Sequence, residues 1–165
     1  MKKIIWLIIP LIILCSCGKK DKVSPMLTGI SFEAQISYYN ESYSALCDIS
    51  KDGVLTAKIT QPDILKDFIL QVSSQGIKAE YLGITYTPTG GNMPFSGVID
   101  SFYSVLKECM NQETVATLSK EEYIVKGDFD QLGYTLYVAP TGLPQKLLLP
   151  DERFSVNFYN VTIKT

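Results

Sequence analysis

The side chains that could carry out chemistry are few and scattered along the chain. The sequence contains no histidine, which removes Ser-His and Cys-His nucleophile pairs, histidine-ligated zinc and every imidazole general base. The nearest approach to paired carboxylates is Glu121-Glu122 and Asp128 with Asp130. Their positions beside predicted turns favour solvated charge over acid-base or calcium chemistry. We therefore predict a protein that is not an enzyme and that holds no cofactor or metal.

The four cysteines fall into two pairs. Cys47 and Cys109 lie on predicted apolar faces, of a strand and of a helix, and we interpret them as buried free thiols because free Cys behaves as a small hydrophobe. A disulfide between them is the alternative, since an oxidising compartment permits one. Cys15 and Cys17 instead end a hydrophobic run at the N-terminus.

The first residues combine a basic start with a hydrophobic run that ends in two cysteines. Two lysines precede the apolar run 4–14, which is too short to span a bilayer comfortably. The run ends in Leu14-Cys15-Ser16-Cys17-Gly18, which resembles a lipobox, with Leu three residues before the modified Cys and a small residue just before it. This pattern predicts a signal peptide at 1–16, palmitate or a similar lipid on Cys17, and a position at the outer face of the bacterial cell membrane.

The segment 17–29 is polar, contains Pro25 and has no apolar period, so we predict a tether. Residues 30–165 are enough for one domain. The net charge of -2 becomes more negative once the leader lysines are removed, and such a surface argues against nucleic acid. The expected partners are the membrane, through the lipid on Cys17, and either an envelope protein or an apolar ligand.

From Ile30 the hydrophobic pattern has a period of two, as in Phe32, Ala34, Ile36 and Tyr38, which predicts strands with one buried face. Asp52-Gly53 predicts a hairpin turn, and a helical turn is predicted at 64–67. Strands are predicted at 30–39, 43–49, 55–59, 68–74, 77–86 with a bend at Gly83, 114–118, 122–128, 134–139, 145–149 and 154–163.

One helix is predicted, from Phe95 to about Met110, because its apolar residues fall at spacings of three and four. A stripe this wide needs a partner surface, and a sheet face is the one available. The predicted fold is α+β, a curved antiparallel sheet forming an incomplete β-barrel, with one helix packed across its concave face. The candidates for an apolar groove or helix core are Phe95, Val98, Phe102, Val105 and Leu106.

The order of elements and several short phrases resemble the superfamily of the bacterial outer-membrane lipoprotein carrier, LolA and LolB. The similarity covers about 30–163. It rests on the opening Phe32-Glu33-Ala34-Gln35-Ile36 strand, Gln61-Pro62-Asp63-Ile64-Leu65, Tyr81-Leu82-Gly83-Ile84 and Thr141-Gly142-Leu143-Pro144-Gln145-Lys146-Leu147. The resemblance implies an incomplete barrel around an apolar cavity for acyl chains. The carrier's arginine is not identifiable, so the resemblance implies the fold and not lipid shuttling.

Two functions are consistent with this sequence. The first is a membrane-anchored, non-enzymatic lipoprotein that acts as a protein-interaction or regulatory module of the cell envelope. The alternative is binding or carriage of an acyl chain or lipoprotein tail in the half-barrel, and an envelope hydrolase is a distant third. A lone helix is expected to fill the half-barrel and leave no cavity, which favours the interaction module. A cavity beneath the helix would favour the ligand.

Overall fold

The computed structural model describes residues 20–87, 96–111, 114–119 and 121–164. These residues form twelve strands, one α-helix and one short 3-10 turn. The strands of the first run are β1 (Lys20–Val23), β2 (Ile30–Tyr38), β3 (Glu41–Ile49), β4 (Leu55–Gln61), β5 (Ile69–Ser73), β6 (Gly76–Tyr81) and β7 (Ile84–Tyr86), with the 3-10 turn at Asp63–Leu65. The helix α1 (Ser96–Asn111) is followed by β8 (Thr114–Ser119), β9 (Glu122–Phe129), β10 (Leu132–Val138), β11 (Pro144–Leu149) and β12 (Phe154–Ile163).

All the described strands belong to one curved antiparallel sheet. Their order is β1-β8-β9-β10-β11-β12-β2-β3-β4-β5-β6-β7, and β1 and β7 at its two ends do not pair with each other. The sheet is therefore open. Because β12 pairs with β2, the strands before the helix and those after it meet at the centre of the sheet. This α+β architecture confirms the coarse fold prediction.

The period of two separates the sheet into an apolar face and a polar face. In β2 the residues Ile30, Phe32 and Ala34 are buried while Glu33 and Gln35 are exposed. Each neighbouring strand contributes its alternate residues to the same core. The apolar face is thus continuous from β10 through β12 and β2 to β6.

The helix α1 packs on this apolar face. The Phe102 ring lies 5.4 Å, between centroids, from the ring of Phe154 on β12. The Tyr103 hydroxyl donates a hydrogen bond of 2.9 Å to the carbonyl of Gly53, in the turn between β3 and β4. Within the described residues, α1 is too short and insufficiently apolar to cross a membrane.

The predicted tether at 17–29 is wrong for the part that the structure describes. Lys20–Val23 pairs with β8 as a short antiparallel strand, and the Met26 amide donates a 2.8 Å hydrogen bond to the carbonyl of Gly142. Leu27 is a fully buried member of the core. Because this segment is polar, its sequence did not indicate a strand. Backbone hydrogen bonds to β8 and the buried side chain of Leu27 hold the segment against the domain.

One strand boundary also differs from the predictions. The predicted strand 77–86 is a hairpin, because Leu82 and Gly83 both have positive φ values, 52° and 80°, and reverse the chain between β6 and β7. The described part of the helix spans Ser96–Asn111, in agreement with the predicted helix from Phe95 to about Met110. Phe95 lies outside the described residues.

Candidate functional site

A cavity of about 600 Å³ lies between the apolar face of the sheet and the N-terminal half of α1. The expectation that a lone helix fills the half-barrel and leaves no cavity is therefore wrong. Among the described side chains of α1, Ile99 and Phe102 line this space without filling it. Twenty residues line the space, and none carries a charge: Phe32, Ala34, Ile36, Tyr38, Tyr43, Cys47, Leu55, Ala57, Ile59, Leu65, Phe68, Leu70, Ala79, Tyr81, Ile84, Tyr86, Ile99, Phe102, Phe154 and Val156.

Small side chains keep the cavity open. Ala34, Ala57 and Ala79 are buried on β2, β4 and β6, and all three line the space. Alternation places their methyl groups on the apolar face, where Leu or Phe would occupy part of the volume. The cavity therefore follows from residue choice on these strands as well as from the curvature of the sheet.

The two halves of α1 have different surroundings. Ile99 and Phe102, in the first half, line the cavity, whereas Val105, Leu106 and Cys109, in the second half, do not. Val105 and Leu106 have no exposed surface. The second half is close-packed, and the first half bridges an open space.

The predicted site residues are only partly brought together at this cavity. Phe102 lines it and is 8% exposed. Val105 and Leu106 belong to the packed core instead. Val98 lies within α1, but its side chain, like Phe95 and the predicted lipidation site Cys17, lies outside the described residues.

The polar atoms of the cavity wall come from tyrosines near one end of the strands and from Cys47. The Tyr43 hydroxyl donates a 2.7 Å hydrogen bond to Oε2 of Glu41, and this bond, together with partial burial, raises the pKa of Tyr43. The Tyr81 hydroxyl donates a 3.0 Å bond to the carbonyl of Ile64. Burial raises the pKa of Tyr38, and nearby Tyr39 and the carboxylate of Glu152 raise it further.

Two tight turns meet at this same end. The Tyr39 amide, in the β2–β3 turn, donates a 3.0 Å hydrogen bond to the carbonyl of Arg153, in the β11–β12 turn. The guanidinium carbon of Arg153 lies 5.3 Å from the centre of the Tyr39 ring, a distance typical of a cation–π contact. The Tyr39 ring in turn stands edge-on to the Tyr38 ring, at 4.7 Å between centroids. We call Glu41, Glu152 and Arg153 the charged rim of the cavity.

Cys47 and Cys109 are buried and do not form a disulfide, which confirms the prediction of buried free cysteines. Cys47 lines the cavity, and its burial beside Asp48 raises its pKa to about 12. Cys109 lies on the packed half of α1. Burial raises its pKa to about 11, although a hydrogen bond from the Tyr134 hydroxyl acts in the opposite direction.

An exposed apolar hairpin borders the cavity at the open edge of the sheet. Leu82 is 81% exposed and Ile84 is 73% exposed, and Ile64 and Tyr86 are exposed beside them. Ile84 and Tyr86 also belong to the cavity lining. We call β6, β7 and their turn the edge hairpin.

The carboxylates considered in the sequence do not form a metal site. Glu121, Asp128 and Asp130 are exposed and Glu122 is half-buried, and the described residues contain no group of three or more Cys, Asp or Glu side chains able to hold a metal ion. A second depression, of about 190 Å³, lies on the polar, outer face of the sheet, beside Glu33, Gln35 and Ser44. Its lining is mixed and it is smaller than the apolar cavity.

Sequence reasoning missed the alanines, the edge hairpin and the charged rim. The alanines had the correct parity to face the core, but alternation does not reveal whether the opposite side is filled. Leu82-Gly83 did carry a usable signal, because Gly at the second position of a tight turn fits a positive φ. Arg153 is the one arginine of the chain, and nothing in its neighbours indicated that it meets the β2–β3 turn.

Comparison with protein-family models and with curated proteins gave no match. Among solved structures, the chain is similar to the crystal structure of a DUF1329 family protein from Desulfovibrio piger ATCC 29098. The identity is 9%, the TM-score is 0.39, and the match covers 81% of this chain and 85% of that chain. A likeness at this level carries no argument about family or function.

Proposed function

We propose that this chain is a non-enzymatic lipoprotein of the bacterial cell envelope that binds an acyl chain in its half-barrel. The observation that carries the proposal is the uncharged cavity of about 600 Å³ beneath α1. Its volume falls within the range of about 300–1,000 Å³ that is usual for small-molecule sites. The helix lies across the concave face as a partial cover.

The lining predicts the chemistry of the ligand. Sixteen of its twenty residues have no hydroxyl, and the four tyrosines are 38, 43, 81 and 86. A ligand with many internal polar atoms would leave them without hydrogen-bond partners, at a cost of about 1–3 kcal/mol each. A hydrocarbon chain has no such atoms, and each buried methylene contributes about 0.8 kcal/mol.

The proposed cellular setting rests on the N-terminal sequence and on the family resemblance. The leader at 1–16 and lipid on Cys17 would hold the protein at the outer face of the membrane, beside a source of acyl chains. An incomplete barrel with an apolar cavity is also what the LolA/LolB resemblance implies. In this proposal the membrane is the partner through Cys17, and the acyl ligand occupies the domain.

The test is binding of a fluorescent fatty-acid probe to the purified full chain. We expect saturable binding to the wild type and a large loss of affinity in Ala57→Phe, whose benzyl group would fill part of the cavity. Unfolding melts of both proteins show whether the variant is folded. Absence of saturable binding to a folded wild type would refute the proposal.

A matched control comes from the adjacent residue on the same strand. Thr56 pairs with Asp48 on the outer face of β4, whereas Ala57 pairs with Cys47 on the cavity face. Thr56→Phe adds a similar aromatic volume on the other side of the sheet. It should leave probe affinity unchanged, and equal losses in both variants would show that the effect is not specific to the cavity.

A protein-interaction module is the second candidate function, and the edge hairpin favours it. Leu82 is a large apolar residue with a positive φ and 81% exposure, although the conformation and the exposure are both unfavourable for Leu. The outer edge of β7 also has no strand beside it among the described residues. Such an edge can bind a further strand from a partner.

The two candidates can be separated by site-specific photocrosslinking in cells. A crosslinking residue in place of Leu82 should yield a discrete protein adduct if the edge hairpin is an interface. The same residue in place of Leu46, which is also exposed but lies on the outer face, is the matched control. Adducts from both positions or from neither would contradict the interaction module.

A further inference from the structure

The charged rim lies beside Tyr38, Tyr43 and Phe154, which belong to the cavity lining. Tyr38 lines the cavity and pairs across the sheet with Glu41 on one side and with Phe154 on the other. Arg153 immediately precedes Phe154 in the chain. Side chains of both charges therefore lie next to residues of the cavity wall.

The positive group of the rim is available to a ligand. Within the described residues Arg153 forms no ion pair, and its guanidinium lies over the Tyr39 ring. A guanidinium held on one face by an aromatic ring keeps its N–H groups free for a phosphate or carboxylate. The turn thus presents one oriented anion-binding group.

Of the two negative groups, Glu41 lies across Tyr38 from Arg153, whereas Glu152 immediately precedes Arg153 in the β11–β12 turn. Glu41 has the same parity as Tyr43 on β3, so its carboxylate is on the cavity face, where it accepts the Tyr43 hydroxyl hydrogen bond. Glu152 is close enough to Tyr38 to act on its ionisation. Carboxylates beside aromatic rings suit an ammonium group, which binds both by charge and by cation–π attraction.

The backbone at both turns is in a conformation that large side chains rarely adopt. Tyr39 has φ 53° and Arg153 has φ 49°, where Gly or Asn would be accommodated more easily. Residues held in such strained conformations cluster at ligand sites. Here both carry large exposed side chains, and those side chains contact each other.

We propose that the ligand is a zwitterionic acyl amphiphile of the phosphocholine or phosphoethanolamine class, with its phosphate at Arg153 and its ammonium beside Glu41. This inference rests on the proposed acyl-binding function. A purely anionic head group would meet one guanidinium and two carboxylates. A purely cationic one would leave the guanidinium uncompensated. A head group with both charges pairs with Arg153 and with Glu41.

The test compares four amphiphiles that share a palmitoyl-length chain, in probe-displacement titrations with the purified full chain. They are lysophosphatidylcholine (zwitterionic), palmitate (anionic), hexadecyltrimethylammonium (cationic) and monopalmitoylglycerol (neutral). We expect lysophosphatidylcholine to bind tightest. Tighter binding of palmitate or of the ammonium compound would overturn the proposal.

Variants of the charged rim test which residue binds the phosphate and which binds the ammonium group. Arg153→Gln should weaken lysophosphatidylcholine and palmitate by roughly two- to fivefold, the range for a partly exposed charge pair, and should not weaken the ammonium compound. Glu41→Gln should weaken lysophosphatidylcholine and the ammonium compound but not palmitate. Lys126→Gln removes an exposed charge on the outer face of β9 and should change none of the four affinities.

The outcomes separate this inference from the proposed function. Equal binding of all four amphiphiles, unaffected by the rim variants, would mean that only the acyl chain is recognised, so the proposed function would stand and the head-group inference would fail. If none of the four displaces the probe, both fail. Melts of each variant exclude loss of folding as the cause.

Discussion

The two halves of α1 lie on one sheet, yet they have opposite packing. Around the second half, Val105 and Leu106 have no exposed surface, and the Tyr134 hydroxyl of β10 is close enough to the Cys109 thiol to act on its pKa. Around the first half, Ile99 and Phe102 face an open apolar space. We call these the packed half and the cavity half of the domain.

The difference shows how one helix can both stabilise the domain and cover a cavity. The packed half supplies dense contacts that hold α1 in place. The hydrogen bond from Tyr103 to Gly53 fixes α1 to the β3–β4 turn as well. With the helix held there, the cavity half can remain unfilled without loss of the fold. Unfilled volume in a core is otherwise destabilising.

The largest expected contrast comes from the same substitution on each side. Leu106→Ala, in the packed half, should lower the free energy of unfolding by about 3–5 kcal/mol, because the surrounding side chains cannot collapse into the new space. Leu70→Ala, on β5 in the cavity half, removes the same atoms from a half-buried residue that already borders open volume. We expect a loss of only about 1–2 kcal/mol there.

Chemical denaturation of the two variants measures this contrast directly. The slope of unfolding free energy against denaturant concentration should be unchanged, so that midpoints can be compared. Similar losses for the two leucines would contradict the division of the domain into a packed and a cavity half.

Glycines on two adjacent strands give the next largest contrast. Gly127 on β9 pairs with Tyr134, whose ring and hydroxyl occupy the position that a Cβ at 127 would take. Gly127→Ala should therefore cost about 1–3 kcal/mol through overpacking. The matched control is Gly133→Ala on β10, where the nearest atom, Oδ2 of Asp151, is 3.8 Å from the added carbon. A control variant as unstable as Gly127→Ala would argue against tight packing around Tyr134.

The sequence predicts features that depend on neighbouring residues better than features that depend on contacts between distant segments of the chain. The alternation of Phe32, Ala34 and Ile36, and the stripe through Phe102 and Leu106, are local patterns, and both the sheet and the helix were predicted from them. The β1 strand was missed because Lys20–Val23 is charged and is held by backbone bonds to β8, far along the chain. A backbone partner leaves no trace in side-chain periodicity.

The cavity could not be predicted for a different reason. An apolar stripe on α1 and an apolar face on the sheet are required whether the space between them is filled or empty. Whether the space is filled depends on the summed volume of the side chains and on the width of a curved sheet. Ala57 and Ala79 contribute little to that volume. The charged rim was hidden because it combines the β2–β3 and β11–β12 turns, more than a hundred residues apart.

Alkaline pH should affect both halves through their thiols. In the folded protein the pKa of Cys47 is raised to about 12 and that of Cys109 to about 11, whereas an unperturbed thiol has a pKa of about 9. The stability that the two protonated thiols contribute is fully present below pH 9. It is lost as the pH rises from 9 to about 11 for Cys109 and to about 12 for Cys47. Each thiol can lower the unfolding free energy by up to about 1.4 kcal/mol per pH unit in this window.

Melts between pH 8 and 11 on the wild type, Cys47→Ala and Cys109→Ala measure this dependence. Each variant should have a shallower decline than the wild type, because one group no longer titrates differently in the two states. A decline of unchanged slope in both variants would show that other groups, such as the tyrosines, account for the alkaline instability.

The smallest expected effect is kinetic and concerns the same two thiols in the folded protein. Cys47 lines the cavity, whereas Cys109 is 1% exposed in the packed half. A small apolar thiol reagent can enter the cavity without unfolding, so we expect Cys47 to react faster than Cys109, although its pKa is the higher of the two. The rate at Cys47 should rise about tenfold per pH unit up to about pH 12, because the thiolate is the reactive form.

A saturating acyl ligand should slow labelling of Cys47 and leave Cys109 unchanged, as read by mass spectrometry of each cysteine peptide. Faster labelling of Cys109, or equal protection of both thiols, would mean that reaction requires global opening and that the cavity is not an entry route.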